Sequence, residues 1–407
     1  MILSIIHLSD IHFKVSANSV IGKLDKIANV ITGETQGSDA IISISTGDIA
    51  HSGKPEEYRI ASEFFTRLET LVKEKTSLSL SCYFLPGNHD CNFDRNTKVR
   101  DNLLSGNNSV FIDLTHDDKS ILNSCMLHQD FFEFVKNCSH DKVLIVDYDR
   151  LHYKYDLAIK DKKVRLHFFN TAWLSRRRDN QGKLFFPVDQ IKPDDTKCDL
   201  IISAFHHPYS WLEAENSREF RKRVEGLSDV VLTGHEHEAE VYEKIVKSTG
   251  DRSRFVEGAV LQTDEKWQSG FNVVNIDIAN GKWKYSEFRW AEQKQRYERE
   301  MKTEWETFVR STNLKEQEFE PAPEFAKFLS GAGAGFTHPQ AVTVNLDDVF
   351  VFPDVDVRPF EGESENIVHG DSFTKYILKH SRLFLTGSER SGKTEVAPFV
   401  WTEFLDS

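Results

Sequence analysis

Asp10, His12, Asp48, Asn88, His89, His206, His235 and His237 are the residues of this chain whose types and placement could do chemistry together. Each lies just past an apolar run: Ile2–Leu8, Ala40–Thr46, Ser81–Pro86, Leu200–Phe205 and Val230–Thr233 each lead straight into a short polar cluster. In an open α/β sheet the ligand crevice lies outside the carboxyl ends of the strands, so one rim would gather all five clusters. Two carboxylates, the Asn88 amide oxygen and the imidazoles of His12, His206, His235 and His237 form a mixed N/O donor set large enough for two divalent ions. Imidazole with carboxylate suits Mn, Fe, Zn or Ni, with Mn first and Mg a further candidate; no thiolate takes part. Two ions ~3.5–4 Å apart clamp the attacking and leaving oxygens of an in-line displacement at phosphorus, which is phosphoester hydrolysis. A lone Gly-Asp or His is ordinary turn or core chemistry. Five clusters in order, each after a strand, point to a site. Of the adjacent His206 and His207, only one can face it from an extended segment, and His206 is the expected ligand.

The strings Leu8-Ser9-Asp10-Ile11-His12, Thr46-Gly47-Asp48, Pro86-Gly87-Asn88-His89-Asp90, Phe205-His206-His207-Pro208 and Thr233-Gly234-His235-Glu236-His237 resemble, in order and spacing, the motif set of calcineurin-like metallophosphoesterases. The resemblance extends to about Trp290. It implies Asp10, His12 and His237 on one metal, Asn88, His206 and His235 on a second, and Asp48 bridging. It also implies that His89 touches the scissile phosphate and protonates the leaving group, so that His89 and Asp48 carry the catalysis. The fold implied is a four-layer α/β sandwich, two mixed β-sheets between helical layers.

Along the chain, the apolar spacing of Val20–Thr32 predicts a crossover helix between the first two strands, and Pro55–Lys75 opens with proline and acids suited to a helix start. Strand-to-cluster steps in succession favour a parallel half-sheet. Cys91–Asp149 reads as an insertion with one helix near Ser120–Asn137, placed to shape substrate access. Strands follow at Leu151–Tyr155 and Val164–Asn170. Arg176, Arg177 and Arg178 come next, a guanidinium cluster suited to bidentate phosphate binding. Glu240–Lys247, Phe255–Leu261, Phe271–Ile278 and Lys282–Trp290 read as antiparallel closing strands. Ala291–Ser311, charged and with Tyr297, Met301, Trp305 and Phe308 at helical spacing, reads as a helix leaving the domain. Residues 1–311 would form the phosphoesterase domain and 312–370 a Gly/Pro-marked linker with connecting strands at Leu346–Phe352 and Asp354–Arg358.

Residues 371–407 carry a second motif. The apolar run Leu383–Thr386 enters Gly387-Ser388-Glu389-Arg390-Ser391-Gly392-Lys393-Thr394, a P-loop in its strand-loop-helix setting. Gly387 and Gly392 would let backbone N–H groups cradle phosphates, Lys393 would reach them and Thr394 would bind Mg²⁺, so ATP with Mg²⁺ is the expected ligand in a longer protein. The chain stops at Ser407, and an NTPase needs further strands, so residues 371–407 read as the truncated start of one. The order resembles bacterial signal-transduction NTPases of the antiphage-defence kind. The function implied is a dinuclear-metal phosphodiesterase, foremost a nuclease effector under NTPase control. A cyclic-nucleotide or small-molecule phosphoesterase, and a non-catalytic metal-bearing scaffold, are the alternatives.

Composition agrees with folded domains: 39% of the 407 residues are hydrophobic and 12% aromatic. A net charge of −13 argues against indiscriminate coating of nucleic acid, while a local basic path still admits nucleic acid as substrate. No run of ~18 apolar residues predicts a membrane span. Five scattered cysteines without a Cys-x-x-Cys pair, and no leader-like start, place the chain in the reducing cytoplasm. Any homo-oligomer would form through the NTPase region.

Overall fold

The computed structural model describes residues 1–105, 118–138, 145–148, 150–191, 197–237, 239–245, 252–263, 268–308, 354–357 and 366–369. The chain divides into two compact units, Met1–Leu314 and Lys315–Ser407.

The first unit holds two mixed sheets. In one, β1 (Ile2–Leu8), β2 (Ala40–Ser45) and β3 (Leu80–Phe84) run parallel. The other sheet begins with β4 (Ile145–Tyr148), β5 (His152–Ile159) and β6 (Lys162–Phe169), which are antiparallel. From β6 it continues in parallel through β7 (Leu200–Phe205), β8 (Val230–Thr233) and β10 (Arg252–Glu257), with β9 (Val241–Ile245) antiparallel on its edge. The first sheet is completed on the far side of β1 by β11 (Gly270–Asp277), β12 (Lys282–Ala291) and β13 (Arg296–Lys302), all antiparallel, with β14 (Glu306–Thr307) beside β12.

Alternation along two strands sets the layers, because successive side chains on a strand point to opposite faces. In β3, Tyr83 packs on Tyr155 of the second sheet at 5.1 Å between ring centroids. Its neighbour Phe84 packs instead on Phe65 and Phe134, both at 4.8 Å. Phe65 lies on α2 (Pro55–Thr76), which packs on α1 (Leu24–Glu34), and Phe134 lies on a later helix, Gln129–Cys138. In β6, Phe168 meets Tyr155, whereas Phe169 meets Phe220 of the helix Ala214–Leu227 at 5.6 Å. The order is therefore helix, sheet, sheet, helix, with aromatic rings between every pair of layers. Helix α1 buries Leu24, Ile27, Ala28 and Ile31, one stripe at helical spacing. Helix α2 starts where Pro55 supplies its first turn and the Glu57 carboxylate accepts the Lys54 N–H at 3.1 Å.

Two sequence expectations are corrected. Over its described part, up to Phe308, the helix expected at Ala291–Ser311 is replaced by β13 and β14, joined to β12 by a short 3-10 turn at Glu292–Lys294. Only Tyr297 of β13 is buried. An edge strand covered by Arg, Glu and Lys has the composition of a solvated helix, and its charges protect the sheet edge. The single helix expected near Ser120–Asn137 is broken by a 3-10 turn, Cys125–His128, into α4 (Asp118–Ser124) and α5 (Gln129–Cys138), and a further helix, α3 (Lys98–Ser105), precedes them in the same segment.

In the second unit the described residues form one antiparallel hairpin, β15 (Val355–Val357) with β16 (Asn366–Val368). The Leu346–Phe352 strand and the whole P-loop, Gly387–Thr394, lie outside the described residues. No described helix is long and apolar enough to cross a membrane.

Candidate metal centre

The candidate residues occupy the carboxyl ends of β1, β2, β3, β7 and β8, where both sheets contribute loops to one place. Their backbone is unusual. Among the described residues, eight other than glycine have left-handed φ, and five of these are Asp10 (52°), His12 (52°), Asp48 (54°), His235 (76°) and His237 (63°). Such conformations cost free energy, on the order of 1–3 kcal/mol each in sparsely populated regions, and persist where the surroundings over-determine them. Here neighbouring hydrogen bonds do so: the N–H groups of Ile11 and His12 both donate to Asp48 C=O, at 2.9 and 2.8 Å. Gly47, between β2 and Asp48, has φ +103°, and a Cβ there would meet His206 Nδ1 at 2.5 Å.

The donor atoms converge. Asp10 Oδ2 accepts the Ser9 hydroxyl at 2.5 Å and the His235 N–H at 3.1 Å. Its Oδ1, buried and without a well-formed hydrogen bond, lies 3.3 Å from His237 Nε2 and 4.0 Å from His12 Nε2. Asp48 faces both ways: Oδ2 is 4.0 Å from His12 Nε2 and Oδ1 is 3.4 Å from His206 Nε2. His206 Nε2 is in turn 3.0 Å from Asn88 Oδ1 and 3.1 Å from His235 Nδ1. Two overlapping groups, Asp10 with His12 and His237, and Asp10 with Asp48 and His206, each place their ligand atoms within 4.8 Å of one another. His206 Nδ1 donates to Thr46 C=O at 2.7 Å, which orients the ring and aims Nε2 at the other donors.

Charge follows position. Burial alone would raise the Asp48 carboxyl, but His206, His12 and His89 hold it well below the usual carboxylate range. Burial would lower His206, and its partner Asp48 outweighs that, pushing the imidazole up to about 9. Burial brings His12 and His235 down to about 4, so both are neutral at physiological pH and keep a lone pair for coordination. A buried orphan carboxylate oxygen, neutral imidazoles and an amide oxygen converging on one point fit a pair of divalent cations.

His207 packs against the centre, its ring 4.5 Å from that of His235 and 4.8 Å from that of His206 between centroids, and a ligand atom from each of the three lies within 4.8 Å of the others. Its nitrogens have other partners, Nδ1 pairing with the Thr171 hydroxyl at 3.2 Å and Nε2 lying 3.7 Å from Asp179. Three residues around the centre carry roles that their sequence context does not announce. Asp90 ties two rim loops together, accepting from Ile49, Ala50 and Gly87 N–H at 3.2, 2.9 and 2.9 Å and from the Tyr58 hydroxyl at 2.9 Å. His128 reaches the Gly87 carbonyl at 3.3 Å. His51 C=O accepts from His89 Nδ1 at 2.8 Å, and the rings of His12, His51 and His89 cluster. The available signal was spacing: His51 follows Asp48 by three residues in the same rim loop, and Asp90 closes the Asn88 cluster.

Two open depressions border this centre, and a third adjoins the second of them. One of about 640 Å³ is lined by His12, His51, His89 and His237 on its metal side. A second, 200 Å³, shares His51 and His89 and is lined by Arg176 and Arg177. The third, 320 Å³, shares Phe93, Arg176 and Arg177 with the second. Arg177 lies over the Phe93 ring at 5.0 Å, and Arg176 donates to Leu104 C=O at 2.7 Å. Arg178 is exposed and lines none of the three.

A family model for calcineurin-like phosphoesterases matches residues 3–239. An uncharacterized metallophosphoesterase-like protein of Bacillus subtilis strain 168, YydB, is 24% identical over 298 residues, 70% of this chain and 59% of that one, so the chain spans less than two thirds of that relative. Among solved structures, a conserved uncharacterized protein of Streptococcus pneumoniae TIGR4, titled a predicted phosphoesterase, is 11% identical with a TM-score of 0.30 over 75% of this chain and 98% of that one. Vps29 from Entamoeba histolytica, complexed with Zn²⁺, is 11% identical with a TM-score of 0.32 over 75% of this chain and 99% of its own. The family match takes in more than half of the chain and every candidate ligand from Asp10 to His237, and the protein belongs to the calcineurin-like phosphoesterases.

Proposed function

We propose that the chain hydrolyses phosphodiesters, with nucleic acid as the substrate, and serves as a nuclease effector governed by a nucleotide-binding module in antiphage defence. In this reading Asp10, His12 and His237 hold one divalent ion, Asn88, His206 and His235 hold the other, and Asp48 serves both. The observation that carries it is the two-sided placement of Asp48, one oxygen toward His12 and the other toward His206. A bound pair of divalent ions supplies Lewis acidity and an activated water for in-line displacement at phosphorus.

The residues of the chain do the rest. Because a carbonyl can only accept, His89 Nδ1 donates to His51 C=O, and in the imidazolium form, with a second proton on Nε2, the ring would give that proton to the leaving oxygen and remain neutral with Nδ1–H. Asp90 holds the loops of Asp48 and His89 in one register. Arg177 and Arg176 extend the centre away from the ions and suit a substrate with phosphates on both sides of the scissile one. Nucleotide control is supported by the Gly387–Thr394 sequence motif.

The test is turnover of single-stranded DNA, duplex DNA, RNA and cyclic nucleotides in parallel, with Mn²⁺ and after chelation. Metal-dependent cleavage of a polynucleotide is expected. Turnover of cyclic nucleotides alone would replace the nuclease reading, and no turnover of any phosphodiester would reject it. Lys393→Ala is expected to leave basal cleavage unchanged; loss of basal cleavage in that variant would contradict separate roles for the two motifs.

A further inference from the structure

The 640 Å³ depression beside His12 and His237 is built largely from residues to which phosphoester chemistry assigns nothing. Its walls come from three distant parts of the chain: the segment after β1 that includes Lys14 and Lys23, Gln262 and Thr263 after β10, and Trp290 at the end of β12. Gln262 fastens them together. Its amide donates to Ile11 C=O and to Asn18 Oδ1, each at 3.1 Å, while its oxygen accepts the Val20 N–H at 3.0 Å. The wall is a built surface with its amide groups already satisfied.

Trp290 is held in a fixed pose. Its indole N–H donates to Glu292 at 2.5 Å and its ring meets Tyr297 edge-on at 5.2 Å between centroids. The Lys23 ammonium stands over the same indole, 4.8 Å from the ring centroid, although Lys23 is only 5% exposed. An immobilised aromatic ring costs little further entropy on stacking, and base stacking on such a ring is worth ~1–3 kcal/mol. The volume lies within the ~300–1,000 Å³ typical of small-molecule sites.

We propose that this depression is a nucleoside subsite, in which Trp290 stacks the base adjoining the scissile phosphate while Lys14 and Lys23 attract the phosphate chain. The proposal rests on the phosphodiesterase reading above and names the part of the substrate that this side of the centre takes. Inorganic phosphate would leave most of the space to water.

The experiment compares two ligands that differ only in the base. The full chain, loaded with Mn²⁺, is titrated calorimetrically with adenosine 5′-monophosphate and with ribose 5-phosphate. The nucleotide is expected to bind ~5- to 150-fold more tightly, the ratio that the stacking energy corresponds to. Trp290→Ala should bring the ratio close to one and Trp290→Phe should keep most of it. Lys14→Met should weaken both ligands by a similar factor and leave the ratio intact. Equal affinities in the unaltered protein, or an undiminished ratio in Trp290→Ala, would overturn the subsite. Methyl p-nitrophenyl phosphate, which has no base, separates the two readings. Its turnover alongside equal affinities rejects the subsite and keeps the chemistry, whereas base-dependent binding without any turnover supports the subsite and rejects the chemistry.

Discussion

Gly87→Ala tests the proposed centre without touching a ligand. Gly87 sits between β3 and Asn88, and a Cβ on it would lie 2.1 Å from Asp48 Oδ1 and 2.5 Å from Asp48 N. Ordinary van der Waals contact begins at 3.4 Å, so the carboxylate must retreat by 3.4 − 2.1 = 1.3 Å or the loop must give way. The loop is pinned: Gly87 N–H donates to buried Asp90 and its carbonyl meets His128. Metal sites tolerate only ~0.2 Å in ligand distances, several times less than this displacement. A 1 Å misplacement of reacting groups costs ~10²-fold in rate. Metal affinity and turnover should therefore each fall by about 100-fold or more, while the strain lowers folding stability by only ~1–3 kcal/mol. Metal content after dialysis, competition titration with a chelator, and denaturant unfolding of the metal-free protein measure the three quantities. A folded Gly87→Ala protein that keeps full metal content and turnover would refute the placement of Asp48 at the heart of the site.

Asp48→Ala should lose both ions and activity together, whereas His89→Ala should keep its metal and lose ~10²–10⁴-fold in turnover; elemental analysis beside kinetics decides, and equal metal loss in both would contradict the division of roles. Arg177→Ala should raise KM for single-stranded DNA more than for methyl p-nitrophenyl phosphate, and should flatten the salt dependence by ~0.7 for each phosphate that the protein ceases to neutralise; equal effects on both substrates would remove Arg177 from the substrate path. Glu257 supplies a pH test of stability. Burial, together with the charges of Glu240 and Glu236, raises its carboxyl from 4.5 to about 7. The unfolded chain releases that proton near its ordinary value, so this residue's contribution to stability declines as pH rises toward 7 and stays low above it. Glu257→Gln should accordingly raise the unfolding midpoint more at pH 8 than at pH 5, and equal shifts would show that the carboxyl is not strained.

Strand ends are legible because a buried parallel strand is a nearly unbroken apolar run, and β1, β7 and β8 lie where those runs are. The donor residues stand out for the same reason: polar clusters ending such runs have few structural uses. What the sequence hides is of another kind. β13 reads as a helix since its exposed edge is written in helix-forming charged residues, with Tyr297 the one buried position to betray it. Asp90, His128 and Gln262 act through backbone groups distant in sequence, and a side chain that ties loops together leaves no periodic trace. The left-handed backbone at Asp10, His12, Asp48, His235 and His237 is equally silent, because only glycine advertises such conformations.

The donors of this centre are divided along the chain, and that division has a bearing on synthesis. The bond from His235 N–H to Asp10 spans 225 residues, and three of the four candidate ligand imidazoles come from positions 206 to 237. A nascent chain emerging amino end first presents Asp10, His12, Asp48, Asn88 and His89 long before their partners exist. A few oxygens and one or two imidazoles on half of the architecture make a poor chelator. Capture of the ions waits until β7 and β8 have been made and have joined the second sheet. Hydrolytic power would thus arrive only with a finished domain, and a ribosome carrying half of this protein would carry no active phosphoesterase.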